Sequence, residues 1–173
     1  ADGFSYSYVE GGYVNTDIDD FDEDVDGFTL GGSFELTPHL FVFGNYANQG
    51  TSIFGTDVNL EQFQLGAGYA WPLSGNLDLY GKVGYAHAQF EVPGPNFDDD
   101  GYLLAAGMRG RLTDAFELEG SVNYTDLNDS GDDTTLGVAA RYFFTPQFAV
   151  GVAGDFGDDA NTYGVNVRWS FGK

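Results

Sequence analysis

Leu103-Leu-Ala-Ala-Gly-Met-Arg-Gly-Arg-Leu-Thr-Asp-Ala-Phe-Glu-Leu-Glu-Gly-Ser-Val-Asn-Tyr124 is the stretch on which the fold turns. Its even positions Leu104, Ala106, Met108, Gly110 and Leu112, then Phe116, Leu118, Gly120, Val122 and Tyr124, are apolar or small. Its odd positions carry the charges: Arg109 and Arg111 before the turn, Glu117 and Glu119 after it. A period of two predicts strands with one greasy face, and Thr113-Asp-Ala115 is the turn that joins them. Both charge pairs, Arg111 with Glu117 and Arg109 with Glu119, are centred on Asp114. One hairpin register therefore sets each arginine opposite a glutamate.

The same alternation recurs outward from this hairpin. Phe28, Leu30, Phe34 and Leu36 oppose Thr29, Ser33 and Glu35, and Phe63, Leu65, Tyr69 and Trp71 oppose Gln62 and Gln64. Leu77, Leu79, Val83 and Tyr85 oppose Asp78 and Lys82, and Leu136, Val138, Tyr142 and Phe144 oppose Arg141. Phe148, Val150 and Val152 oppose Ala149 and Asp155, and Tyr163, Val165, Val167, Trp169 and Phe171 oppose Asn166 and Arg168. With Phe4–Val14 and Leu40–Gln49 the count is ten, and an even count lets the sheet close without an edge. The expected fold is all-β, a closed up-and-down antiparallel transmembrane β-barrel of about ten strands (eight is the alternative), in one domain spanning 1–173. Two strands read less cleanly. In Phe4–Val14 a bulge could switch faces midway; Glu10 is expected inside and the rest is left open, as is the facing of Leu40–Gln49. Short connections at 38–39, 72–76, 113–115 and 145–147 alternate with longer ones at 15–27, 50–57, 91–100, 128–133 and 157–161. That alternation is the outer-membrane pattern, with both termini on the periplasmic side.

Composition supports the class. The mean hydropathy of the 173 residues is -0.23, and no apolar run approaches the roughly 18–20 residues of a membrane helix. Barrel strands show lipid only every second residue, so an average hides them. Cysteine is absent, which excludes disulfides and thiolate metal sites. Six Lys and Arg stand against 27 Asp and Glu, a net charge of -21, so a nucleic-acid partner is excluded. Ala1-Asp-Gly-Phe4 has no charged and apolar leader, so an exported protein is expected to have lost its signal peptide.

Alternation alone also fits a soluble barrel turned inside out. Three observations favour the membrane. The polar faces are mostly Gly, Ala, Ser, Asn and Gln, where a water-facing surface carries many Lys and Glu. Aromatic residues gather at strand ends, as interfacial girdles do. Lys82, Arg109, Arg111, Arg141 and Arg168 all take the polar parity, and the sixth basic residue, Lys173, is the last. Glu10, Glu35, Asp78, Lys82, Arg109, Arg111, Glu117, Glu119, Arg141 and Arg168 are accordingly expected as a lumen charge network that fills a narrow barrel and pairs its charges.

Acids at 17, 19, 20, 22, 23, 24 and 26 crowd the first long connection, and Glu91, Asp98–Asp100, Asp129, Asp132, Asp133, Asp158 and Asp159 follow in later ones. The plain expectation is a solvated rim of acidic extracellular loops. The sharper one is weak Ca²⁺ binding, because Asp22, Asp24 and Asp26 with Gly27 match the first half of a D-x-D-x-D-G loop. Position twelve of that loop is Ser33, so no high-affinity site is expected. No cofactor is implied. Nor is an enzyme expected: His39 falls in a turn, His87 takes the lipid-facing parity, and neither has an Asp-x-His or His-x-Ser partner. The function expected is structural or surface-interacting, with a small passive channel or a divalent-cation-binding surface as alternatives. Outer-membrane lipid and lipopolysaccharide are the expected partners, and the barrel the expected monomer.

Tyr6-Ser-Tyr-Val-Glu-Gly-Gly-Tyr-Val-Asn-Thr-Asp17 and Phe41-Val-Phe-Gly-Asn-Tyr-Ala47 resemble the small outer-membrane barrel family of xanthomonad-type bacteria, once proposed as a quorum or immunity signal. The likeness is carried by the first 50 residues or so. The Gly11-Gly12-Tyr13 opening is more distantly similar to the OmpX and OmpA barrel class. This resemblance implies delivery by periplasmic chaperones and insertion by the barrel-assembly machinery, and it transfers no catalytic residue. Such barrels end on an aromatic residue that the machinery reads. Here Phe171 is followed by Gly172 and Lys173, which leaves Trp169 and Phe171 as the implied assembly signal.

Overall fold

The computed structural model describes residues 4–18, 25–53, 56–91, 97–129, 131–157 and 160–171. Ten strands form: β1 Tyr8–Ile18, β2 Val25–Glu35, β3 Leu40–Ile53, β4 Thr56–Ser74, β5 Leu77–Glu91, β6 Phe97–Thr113, β7 Phe116–Leu127, β8 Gly131–Phe143, β9 Phe148–Phe156 and β10 Ala160–Ser170. Each pairs antiparallel with its chain neighbours, and β1 pairs with β10 to close the barrel. Closure runs in unbroken register from Tyr8 opposite Ser170 to Ile18 opposite Ala160. Among the described residues every strand has a neighbour on both sides, so the sheet has no edge strand.

Side chains sort by parity. Leu30, Leu65, Val83, Val122, Val152 and Val165 are more than half exposed, although they are apolar and mid-strand. A soluble sheet would bury them, so these side chains face lipid. Inward-facing Arg109, Glu117, Arg141 and Arg168 are buried instead. Two aromatic belts bound the apolar band. Phe34, Trp71, Phe144, Phe148, Trp169 and Phe171 ring the end with short turns. Tyr13, Phe28, Tyr85, Tyr102 and Tyr163 ring the other, here called the loop end. Among the described residues no helix is long and apolar enough to cross a membrane, and the crossing is made by strands.

The structure settles two strands whose facing the sequence left open and corrects one expectation. First, Phe4–Val14 needs no bulge. β1 starts only at Tyr8, and its ladders to β2 and β10 are unbroken, so Glu10 keeps the lumen parity while residues 4–7 leave the wall. Second, Phe41 and Phe43 of β3 point inward and are buried, because the turn end of the lumen is filled with aromatic rings. Third, most of the long connections are strand. Gly50, Asp26, Asp98–Asp100 and Asp132–Asp133 lie within β3, β2, β6 and β8. Asp has poor strand propensity, but continued backbone pairing overrides it. At 19 residues β4 far exceeds the about 9–11 that a membrane crossing takes, so the sheet stands beyond the bilayer at the loop end. Asp19, Asp20, Asp22, Glu23, Asp24, Asp158, Asp159, Gly172 and Lys173 lie outside the described residues.

Candidate functional site

The lumen has three storeys, each set by what the strands project inward. At the turn end residues 4–7 cross it. The backbone carbonyl of Ser5 accepts a hydrogen bond from Arg109 Nη1 at 2.9 Å, and β6 lies five strands from β1 around the wall. Phe4 is fully buried, with the Arg109 and Arg111 guanidinium groups 5.0 and 5.2 Å from its ring. Tyr6 stacks on Phe41 at 4.7 Å and donates its hydroxyl to Asp78 at 3.2 Å. Glu35 pins the segment: it accepts from Tyr6 N–H at 2.7 Å, and its own N–H donates to Ser7 Oγ at 3.0 Å. With Phe43, Tyr80 and Phe143 these rings close the turn end.

The middle storey is the charge network. The β6–β7 ladder sets Arg109 opposite Glu119 and Arg111 opposite Glu117, the register that symmetry about Asp114 predicts. Two ion pairs nevertheless run diagonally, Arg109 with Glu117 and Arg141 with Glu119. Glu117, fully buried, accepts from Arg109 Nη2 at 2.9 Å and from Arg141 Nε at 2.8 Å, and Arg141 Nη2 spans Glu117 and Glu119. Arg111 stands 4.0 Å from Glu117. Diagonal neighbours across a ladder are within reach of long side chains, and Tyr80 takes the other oxygen of Glu119 with its hydroxyl. Lys82 rests over Phe43 and Tyr80, at 4.9 and 5.2 Å. A pair that sequence reasoning did not match sits on the closing seam, where Arg168 faces Glu10 in register and binds it at 2.8 Å. The symmetry of a closed ladder could have revealed it, but only once the closure register was known.

The loop-end storey is open. A cavity of about 310 Å³ is lined from within by Glu10, Asn45, Gln62, Gln64, Asp155 and Asn166. Glycines keep it wide: a Cβ on Gly137 would fall 2.7 Å from Ser121 Oγ and 2.9 Å from Asp155 Oδ1.

Outside, tyrosines of the loop-end belt donate to carboxylates above them: Tyr13 to Asp26 at 3.1 Å, Tyr85 to Asp100 and Tyr102 to Asp126 at 3.3 Å, and Tyr124 to Asp132 at 3.2 Å. Asp26, of the calcium-type loop read from Asp22–Gly27, is a β2 residue that accepts from Tyr13 on the outer face. Asp22 and Asp24 lie outside the described residues, and no group of three or more potential ligands is placed to hold a metal among the described ones. His39 Nδ1 lies 3.1 Å from the Ala70 carbonyl, and His87 stacks on Tyr85 on the outer face. Trp169 and Phe171 sit together in the turn-end belt, with ring centroids 5.4 Å apart.

An apolar, aromatic-belted exterior around a charged and partly wet interior defines an integral membrane β-barrel. The family described as outer membrane protein beta-barrel domain matches residues 1–171, and the chain belongs to it. No curated protein matches significantly. Among solved structures, Ail, the attachment invasion locus protein of Yersinia pestis, is similar at 18% identity, 96% of this chain and 99% of that one covered, TM-score 0.50. OprG from Pseudomonas aeruginosa is similar at 14% identity, 98% of each chain covered, TM-score 0.54. Neisserial surface protein A matches at 12% identity over 96% of this chain and 98% of that one, TM-score 0.53. At these identities the likeness is one of fold.

Proposed function

We propose that this outer-membrane barrel is a non-conducting, non-enzymatic surface protein that anchors an acidic outer rim. The carrying observation is the closure of the turn end by Phe4, Tyr6, Phe41 and the Glu117-centred network. Water and ions would need these groups to part, and each is held by a hydrogen bond or a ring contact. The termini and short turns face the periplasm, and the loop end with its carboxylates faces outward among lipid and lipopolysaccharide. The likeness of Tyr6–Asp17 and Phe41–Ala47 to the xanthomonad-type family supports membership in that branch. In the same reading the barrel is monomeric, is carried by periplasmic chaperones and is recognised by the assembly machinery through Trp169 and Phe171. Weak Ca²⁺ bridging between rim carboxylates and lipid phosphates is part of this proposal. Ail has been seen in complex with the heparin analogue sucrose octasulfate; a chain of net charge -21 repels a polyanion of that kind.

Planar-bilayer recording tests the reading. Wild type is expected to show no steady conductance, and deletion of residues 1–7 to introduce it. Steady steps in wild type that change in Arg111→Ala would install the channel in its place.

A further inference from the structure

The wet loop-end storey of the lumen stands apart from the plug and the charge network, and it is chemically lopsided. Beside Thr29, Thr162 and small apolar residues, its inward lining carries four amides (Asn45, Gln62, Gln64 and Asn166) and two carboxylates, Glu10 and Asp155. Among the described residues no Lys or Arg lines it. Glu10 is already neutralised by Arg168 at 2.8 Å. The arginines beneath are committed to Glu117 and Glu119. Asp155 differs from every other inward carboxylate of the middle and turn-end storeys. Among the described residues no cation lies within ion-pair distance of it, and no hydrogen bond reaches its oxygens.

The Asp155 carboxylate thus stands in a walled, water-filled chamber without a protein counter-charge among the described residues. The chamber supplies everything around that charge except the cation itself. Asp155 Oδ1 and Ser121 Oγ both lean over Gly137, whose missing side chain keeps the wall open there. Asn166 Oδ1 has no hydrogen-bond partner, and it lies 2.8 Å from where a Cβ of Gly151 would stand. The volume of about 310 Å³ lies at the lower end of small-molecule pockets. Asn45, Gln62 and Asp155 are exposed, so the chamber opens to water. Toward the loop end the described wall carries acids and no Lys or Arg: Asp99 and Asp133 on β6 and β8, with Asp26, Asp100, Asp126 and Asp132 outside. Their field concentrates cations at the mouth and excludes anions.

We propose that this chamber binds a small organic cation, its ammonium group against Asp155 and its polar remainder against the Gln62, Gln64 and Asn166 amides. Binding from one side needs no through-path, so it stands or falls separately from the conductance experiment above.

Three solutes of equal size isolate the charge: ethanolamine, ethylene glycol and glycolate. Each is titrated at fixed ionic strength into the detergent-refolded barrel, and the side-chain amide resonances of Gln62, Gln64 and Asn166 are followed by NMR. Ethanolamine is expected to give saturable shifts, with the neutral diol at least tenfold weaker and glycolate silent. Asp155→Asn should weaken ethanolamine at least tenfold. Asn166→Asp, which adds a second carboxylate, should tighten it, and Asp126→Asn on the outer face should change nothing. The backbone spectrum of each variant reports its folding at the same time. Equal response to ethylene glycol, shifts that persist in a folded Asp155→Asn barrel, or weakening by Asp126→Asn would each overturn the proposal.

Discussion

Glu117→Gln is the sharpest probe of what holds the lumen. The carboxylate is fully buried and accepts from Arg109 Nε at 3.3 Å, from Arg109 Nη2 at 2.9 Å, from Arg141 Nε at 2.8 Å and again from Arg141 Nη2. Glutamine keeps the shape, loses the charge and turns an N–H₂ toward two guanidinium groups. Breaking one side of a buried ion pair costs about 3–5 kcal/mol, because the partner charge is left uncompensated. Here Arg141 keeps Glu119, and Arg109 keeps the Ser5 carbonyl. That places the expectation at the lower end, about 3 kcal/mol. The comparison is Glu10→Gln, whose side chain is 23% exposed. Solvent there screens the loss, which should be about 1 kcal/mol. Equilibrium urea unfolding in phospholipid vesicles reads both. Trp71 and Trp169 face outward and report the exchange of lipid for water. If Glu117→Gln costs no more than Glu10→Gln, the network does not carry the stability assigned to it.

Three further expectations follow from the facing of the wall. Val83 is 58% exposed on the outer face near mid-strand, so Val83→Arg should cost about 2–4 kcal/mol in vesicles; a near-neutral result would invert the assigned faces. A Cβ on Gly68 would sit 2.3 Å from the Phe41 ring, so Gly68→Ala should cost about 1–3 kcal/mol by overpacking the turn end, and wild-type stability would show that Phe41 yields freely. Trp169→Ala with Phe171→Ala should slow insertion into vesicles holding the reconstituted assembly machinery much more than insertion into bare short-chain vesicles. Equal slowing in both would reduce these residues to interfacial anchors.

The alternation of Leu103–Tyr124 determined a great deal unaided, because a strand has a period of two and only one of its faces can meet lipid. Ten strands, the sorting of five basic residues to the inside and the register of the β6–β7 hairpin all follow from local spacing around turns. What escaped the sequence depends on the closed wall. Whether Arg109 pairs with Glu119 opposite or Glu117 on the diagonal is decided by Tyr80 from β5 and Arg141 from β8, neither of which is near in the chain. The seam pair of Glu10 with Arg168 exists only because β10 returns beside β1. The path of Phe4–Ser7 across the lumen to Arg109 has no local signature, since Phe4 and Tyr6 read equally well as strand. Asp155 stands without a partner among the described residues for the same reason: a position's neighbours across a barrel are set by closure, and composition along one strand cannot name them.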